Sequence, residues 1–121
     1  MKNRKILIID DEDIIGKACK MILTEEGFLC NHCSSGKDGL KMALDNSYNI
    51  LLLDIKLKDM NGMDILEKVK KAKPEVYVIV ITGYSTVENA VRAMKLGAND
   101  YLSKPFSDDD IISAVEEAFK N

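Results

Sequence analysis

Four apolar runs in this 121-residue sequence stop on residues able to do chemistry. The run at 5–9 stops on Asp10 and Asp11, the run at 50–53 on Asp54, and the run at 76–81 on Thr82. A weaker run at 101–102 stops on Ser103 and Lys104. Carboxylates, a hydroxyl and an ammonium group are what receives a phosphoryl group and neutralises its charge. Asp54 is a carboxylate nucleophile of the type that forms aspartyl phosphates. Three carboxylates crowded together repel, and one keeps its proton unless a cation intervenes. An all-oxygen set favours a hard divalent ion. Mg²⁺ takes one or two carboxylates plus a phosphate and keeps some waters. This chemistry requires a fold that gathers residues far apart in the chain.

The elements that do so are legible. Continuous apolar runs of this length suit strands buried on both faces. The mixed stretch at 28–33 reads as an edge strand. Between the runs, apolar residues recur at helical spacing: Ile14, Ile15, Ala18, Met21, Ile22; Leu40, Ala43, Leu44; Ile65, Leu66, Val69; Val87, Ala90, Val91, Met94; and Ile111, Ile112, Ala114, Val115, Ala118, Phe119. Ser35 with Asp38, Ser85 with Glu88 and Ser107 with Asp110 are capping signals, and only the Glu88 case has the strict capping-box form. Gly27 and Gly97 stand where C-terminal caps belong. Five strands alternating with five helices predict an α/β fold, a doubly wound flavodoxin-like (βα)5 sandwich. Right-handed crossovers favour strand order 2-1-3-4-5, with the ligand site beyond the carboxyl ends of strands 1 and 3. In that order Asp10, Asp11, Asp54, Thr82 and Lys104 come from neighbouring strands. Strand 2, at the edge with its Ser34-Ser35-Gly36 tail, is expected to contribute nothing.

Composition narrows the class. The length fits one domain, residues 1–121. A net charge of −3 argues against a dedicated nucleic-acid binder, which carries a basic stripe. No apolar run approaches the ~20 residues that span a bilayer. The basic start at residues 1–5 is followed by an apolar stretch too short for a signal peptide. Three cysteines, an odd number in a chain with a good core, argue against a disulfide scaffold, and the cytosol is the default compartment.

Four segments carry a resemblance: Ile6-Leu7-Ile8-Ile9-Asp10-Asp11-Glu12, Leu51-Leu52-Leu53-Asp54, Val80-Ile81-Thr82-Gly83-Tyr84, and 97–106 (GANDYLSKPF). In this order and spacing, the sequence resembles the receiver domain of two-component response regulators over its whole length. The resemblance implies a phosphoacceptor, Asp54, served by a sensor histidine kinase, and makes the domain a switch, not an enzyme. It implies Mg²⁺ (or Mn²⁺) on Asp11 and Asp54, with Asp10 holding a metal-bound water and the backbone carbonyl of Lys56 as third protein ligand. It assigns phosphate contacts to Thr82 and Lys104, an aromatic switch to Tyr101, and a cis peptide bond to Lys104–Pro105. The output surface would be the fourth helix, fifth strand and fifth helix, acting on a C-terminal output domain or through a phosphorylation-promoted homodimer. The stretch 82–106 resembles receivers attached to sigma-54-dependent activators. Two departures stand out. Lys58 replaces a usual proline, which predicts a looser loop, and Lys56 puts a cation beside the site. The charge of Lys104 is expected to matter mainly once a phosphoryl group is present.

Other readings are weaker. Cys30-x-x-Cys33 around His32 invites a metal or redox site, but a thioredoxin-like pair opens a helix, and strand alternation puts these thiols on opposite faces. They read as buried or half-buried thiols beside a surface histidine, and Met60 and Met63 as packing residues. A haloacid-dehalogenase-type phosphatase wants a second Asp two residues after the nucleophile, where this chain has Lys56. Asp10 and Asp11 would repel a flavin phosphate, and no P-loop motif is present. A DNA-binding part would lie beyond Asn121.

Overall fold

The computed structural model describes residues 4–83 and 85–120. Residues 1–3, Tyr84 and Asn121 lie outside the described residues, and with them most of the basic start and the last position of the 80–84 segment. Strands and helices alternate: β1 (Lys5–Ile9), α1 (Asp13–Glu25), β2 (Leu29–Cys33), α2 (Gly36–Asp45), β3 (Ile50–Asp54), α3 (Gly62–Ala72), β4 (Tyr77–Thr82), α4 (Val87–Lys95), β5 (Asp100–Ser103) and α5 (Asp108–Ala118). The strands pair in parallel in the order β2-β1-β3-β4-β5. This is the flavodoxin-like doubly wound fold that the alternation predicts.

Burial explains why the central strands read as unbroken apolar runs. Every residue of β3 is buried, as is all of β1 and β4 after the first residue. Leu7, Ile9, Leu51, Leu53, Val78 and Val80 face Ile65, Leu66 and Val69 of α3 and Ala93 of α4. Ile6, Ile8, Ile50, Leu52, Ile79 and Ile81 face Cys19 and Leu23 of α1 and Ile111 and Val115 of α5. The two-residue strand period thus fills two cores at once. β2 lies at the edge, only partly covered, and keeps its polar residues.

The caps differ from the sequence signals in two places. At α4, Thr86 rather than Ser85 is the N-cap, its hydroxyl accepting from the Asn89 amide. The Ser85 hydroxyl is already engaged by Ser103 at 2.7 Å, so the helix begins one residue later. The full capping box lies instead at α5. There Ser107 accepts from the Asp110 amide, and Asp110 reaches back to the Ser107 amide. Gly27 (φ 98°) and Gly97 (φ 104°) follow α1 and α4 in the left-handed region that glycine enters without strain.

Gly62, the first residue of α3, is needed for space. A Cβ there would lie 2.4 Å from Ile55 Cα and 2.5 Å from the Asp54 carbonyl oxygen. Backbone cannot yield as a side-chain tip does. Gly62→Ala is therefore expected to cost about 2 kcal/mol in urea unfolding, the scale of overpacking. A cost below about 0.5 kcal/mol would show that the loop after β3 shifts freely.

Candidate functional site

Sheet register levels the site residues. Ile9 pairs with both Cys33 and Leu53, so the next residues, Asp10 and Asp54, leave the sheet side by side. Asp54 pairs with Ile81, and Thr82 with Ser103, so Thr82 and Lys104 follow on the two neighbouring strands. Asp10, Asp54 and Thr82 are the buried polar residues of the described chain, all at the carboxyl edge of the sheet. Alternation along β4 and β5 puts Thr82 on the same face as Tyr101, whose partner across the strands is Val80.

Lys104 lies at the centre. Its Nζ is 2.9 Å from Asp54 Oδ2, 3.0 Å from Asp10 Oδ2 and 2.5 Å from Glu12 Oε1. The Asp10 contact has ion-pair distance but lacks hydrogen-bond alignment, which leaves Oδ2 of this buried side chain without a hydrogen-bond donor. Asp10 Oδ1 accepts from the Glu12 amide, and Asp54 Oδ1 from the Lys56 amide, both at 2.9 Å. Burial pushes the Asp10 carboxyl up to about 6, helped slightly by nearby Asp54. The Glu12 amide and Lys104 pull it down without prevailing. For Lys104, burial works to lower the pKa, but its contacts with the carboxylates of Glu12, Asp54 and Asp10 outweigh that and raise it, so the ammonium stays charged. The protein as it stands therefore already uses this charge, which was expected from the sequence to matter mainly once a phosphoryl group is present.

Carboxylate oxygens of Asp10, Glu12 and Asp54 lie within 4.8 Å of one another. Three carboxylates face one lysine, and one buried oxygen lacks a donor. An all-oxygen set with surplus negative charge fits a hard divalent cation. Glu12 is the member that sequence reasoning passed over. Its signal was a third consecutive acid after β1, read only as part of a motif. Asp11 stands apart from this group. Its Oδ2 accepts from the Lys58 amide at 2.8 Å.

That bond corrects the expectation of a loose loop after β3. A proline at 58 would offer no N–H, whereas Lys58 offers one and Asp11 takes it. Asp59 ties the same loop to the start of α2, accepting from the Ser35 hydroxyl and the Gly36 and Lys37 amides. The Lys37 and Gly36 amides hold the Asp59 carboxyl below its ordinary range. Lys56 pairs with Asn61 across the loop. The Lys104–Pro105 peptide bond is cis. Tyr101 is half-buried against the α3–α4 core, and among the described residues its buried hydroxyl has no hydrogen-bond partner.

β2 is less idle than expected. The Cys33 carbonyl accepts from the Asp10 amide at 3.1 Å, and His32 Nε2 lies 2.9 Å from the Asp10 carbonyl oxygen. His32 is half-buried, not a surface histidine. Cys19, Cys30 and Cys33 are free thiols. Burial raises the Cys19 thiol to about 11 and also raises Cys30, which leaves neither as a reactive thiolate at neutral pH.

The fold and this edge of the sheet define a class, and comparison with known proteins agrees. The family description "Response regulator receiver domain" matches residues 6–116, and the chain belongs to this family. It is 37% identical over 111 residues to the probable transcriptional regulatory protein SilR of Salmonella typhimurium, covering 92% of this chain and 49% of SilR. It is 38% identical over 115 residues to a putative NtrX-like response regulator of Rickettsia bellii, covering 93% of this chain and 24% of that protein. The chain thus spans half or less of these relatives. A receiver domain protein (CheY-like) from Methanospirillum hungatei superimposes with a TM-score of 0.93 at 35% identity, covering 96% of this chain and 93% of that one. No described helix is long and apolar enough to cross a membrane.

Proposed function

We propose that residues 1–121 act as one phosphoacceptor receiver unit in the cytoplasm, served by a sensor histidine kinase. The observation that carries this is the buried Asp54 carboxylate, held at the sheet edge by Lys104, whose ammonium also lies within ion-pair distance of buried Asp10. A carboxylate oxygen of Asp54 attacks the phosphorus of a phosphohistidine. The new O–P bond forms as the N–P bond breaks, and the imidazole leaves with its electron pair. Asp10, Asp11, Asp54 and the Lys56 carbonyl would hold Mg²⁺ or Mn²⁺, which supplies positive charge for the phosphoryl oxygens. Lys104 and Thr82 contact the phosphoryl oxygens. The domain catalyses nothing beyond its own phosphorylation and slow dephosphorylation.

Phosphoramidate with Mg²⁺ is expected to add one phosphoryl group per chain by intact mass, and neither chelated protein nor Asp54→Asn should be labelled. Equal labelling of Asp54→Asn would place the acceptor elsewhere.

Output runs through α4, β5 and α5. Thr82 moving toward the phosphoryl group frees room on the face it shares with Tyr101. The orphaned Tyr101 hydroxyl gives that ring a reason to change position. On α4, Val87, Val91 and Met94 are exposed at helical spacing, with Arg92 and Lys95 among them. On α5 the acids Asp108, Asp109, Asp110, Glu116 and Glu117 complement these cations. This face pairs with a second copy on phosphorylation and controls a C-terminal output domain or a partner. The domain itself binds neither nucleic acid nor membrane. The alternative reading, the receiver portion of a longer sigma-54-dependent regulator, rests on the resemblance of 82–106, and the match to a quarter of a longer NtrX-like response regulator supports a receiver that is part of a longer chain. Sedimentation is expected to shift toward dimer with beryllofluoride, and Val91→Asp to abolish the shift. An unchanged monomer would exclude this face as a dimer contact.

A further inference from the structure

His32 is absent from the chemistry above, yet it touches the turn that presents it. We propose that His32 is a positioning residue for the metal-binding turn between β1 and α1, acting through the Asp10 carbonyl. This rests on the phosphoacceptor reading. A carbonyl oxygen only accepts, so at 2.9 Å the His32 Nε2 carries the proton and donates it. The Asp10 carbonyl and the Asp11 nitrogen belong to one planar peptide unit. Fixing the carbonyl fixes that plane, and with it the direction of the Asp11 N–Cα bond from which the side chain is built. Asp10 is also gripped through its amide by the Cys33 carbonyl and through Oδ1 by the Glu12 amide. The imidazole completes the set.

Gly16 supplies an independent observation. A Cβ at Gly16 would lie 2.1 Å from His32 Nε2, 2.4 Å from Cδ2 and 2.5 Å from Cε1. The ring occupies the volume that any other residue at position 16 would fill, so β2 and α1 together lock its orientation. Glycine inside a helix is unfavourable relative to alanine. Its presence in α1 makes room for a ring whose polar atom is aimed at the site. Hydrogen bonds that orient ligand-bearing groups from outside commonly set metal affinity.

The test is Mg²⁺ titration calorimetry on wild type, His32→Leu, His32→Gln, His32→Asn and Gly16→Ala, with thermal melts and ring ¹⁵N spectra of the metal-free proteins. His32→Leu is expected to bind Mg²⁺ about tenfold more weakly, the low end for such partners because the contact is to backbone. His32→Gln, whose amide nitrogen stands about where Nε2 does, should recover most of that affinity, and the shorter His32→Asn should not. Gly16→Ala, which must displace the ring, should weaken Mg²⁺ binding with His32 still present. Wild-type ring shifts should report Nε2–H. Wild-type affinity in His32→Leu, equal weakness in the Gln and Asn variants, or a bare Nε2 would each overturn the proposal. If His32→Leu does not fold, the Gln–Asn comparison decides. A wild-type protein that takes no Mg²⁺ and no phosphoryl label would sink the underlying reading as well, a result distinct from the others.

Discussion

Lys104→Ala is expected to destabilise the metal-free protein by about 3–5 kcal/mol at pH 7, the range for removing one partner from a buried ion pair. Lys104 Nζ lies within ion-pair distance of Asp54, Asp10 and Glu12, and the first two acids are buried. Without the ammonium, two carboxylates face each other out of water. Glu12 is exposed enough to turn to solvent, so the cost falls on the buried pair. A divalent cation bound by the same carboxylates would replace the missing charge. Urea unfolding in chelator and in saturating Mg²⁺ separates the possibilities, with most of the loss expected to vanish in Mg²⁺. A loss of equal size in both conditions would make Lys104 a packing residue.

Asp10→Asn is expected to act in the opposite direction. The Asp10 carboxyl is raised from the ordinary 3.8 to about 6 by burial. Between those values the folded protein holds a proton that the unfolded chain releases. This group's contribution to stability therefore falls as pH rises through that interval and stays low above it. The gap corresponds to about 3 kcal/mol. Asparagine has no charge to desolvate but loses attraction to Lys104. The metal-free variant should therefore gain about 1–2 kcal/mol at pH 7.5. Urea unfolding from pH 4 to 8 should show this group's fall in wild type and its absence in the variant. Mg²⁺ should bind the variant more weakly. A variant less stable than wild type at pH 7.5 would mean that the Lys104 contact outweighs the burial of Asp10.

The sheet order and the strand-end positions of Asp10, Asp54 and Thr82 were legible because parallel strands buried on both faces leave long apolar runs whose ends are sharp, whereas Lys104 follows the short, half-buried β5 and was read from a weaker run. Glu12 was not legible as part of the cluster. Nothing in the sequence says that its side chain folds back over Lys104 instead of pointing along α1. The link from His32 to Gly16 was also hidden, since a glycine within a helix pattern looks like a weak helix former until its neighbour in space is known. Lys58 misled for a related reason. A missing proline reads as lost stiffness, but what the position gained was a backbone N–H. The α4 cap shifted because Ser103, distant in sequence, occupies the Ser85 hydroxyl.

The Asp11–Lys58 hydrogen bond makes the resting protein a competitor for its own ligand. A cation that drew on Asp11 Oδ2 would have to win that oxygen from the Lys58 amide. Apparent affinity is then the intrinsic affinity scaled by the fraction of molecules in which that carboxylate is free. By the same linkage, under the proposed reading, a cation drawing on that oxygen would loosen the loop after β3, and a loop held more firmly would weaken the cation.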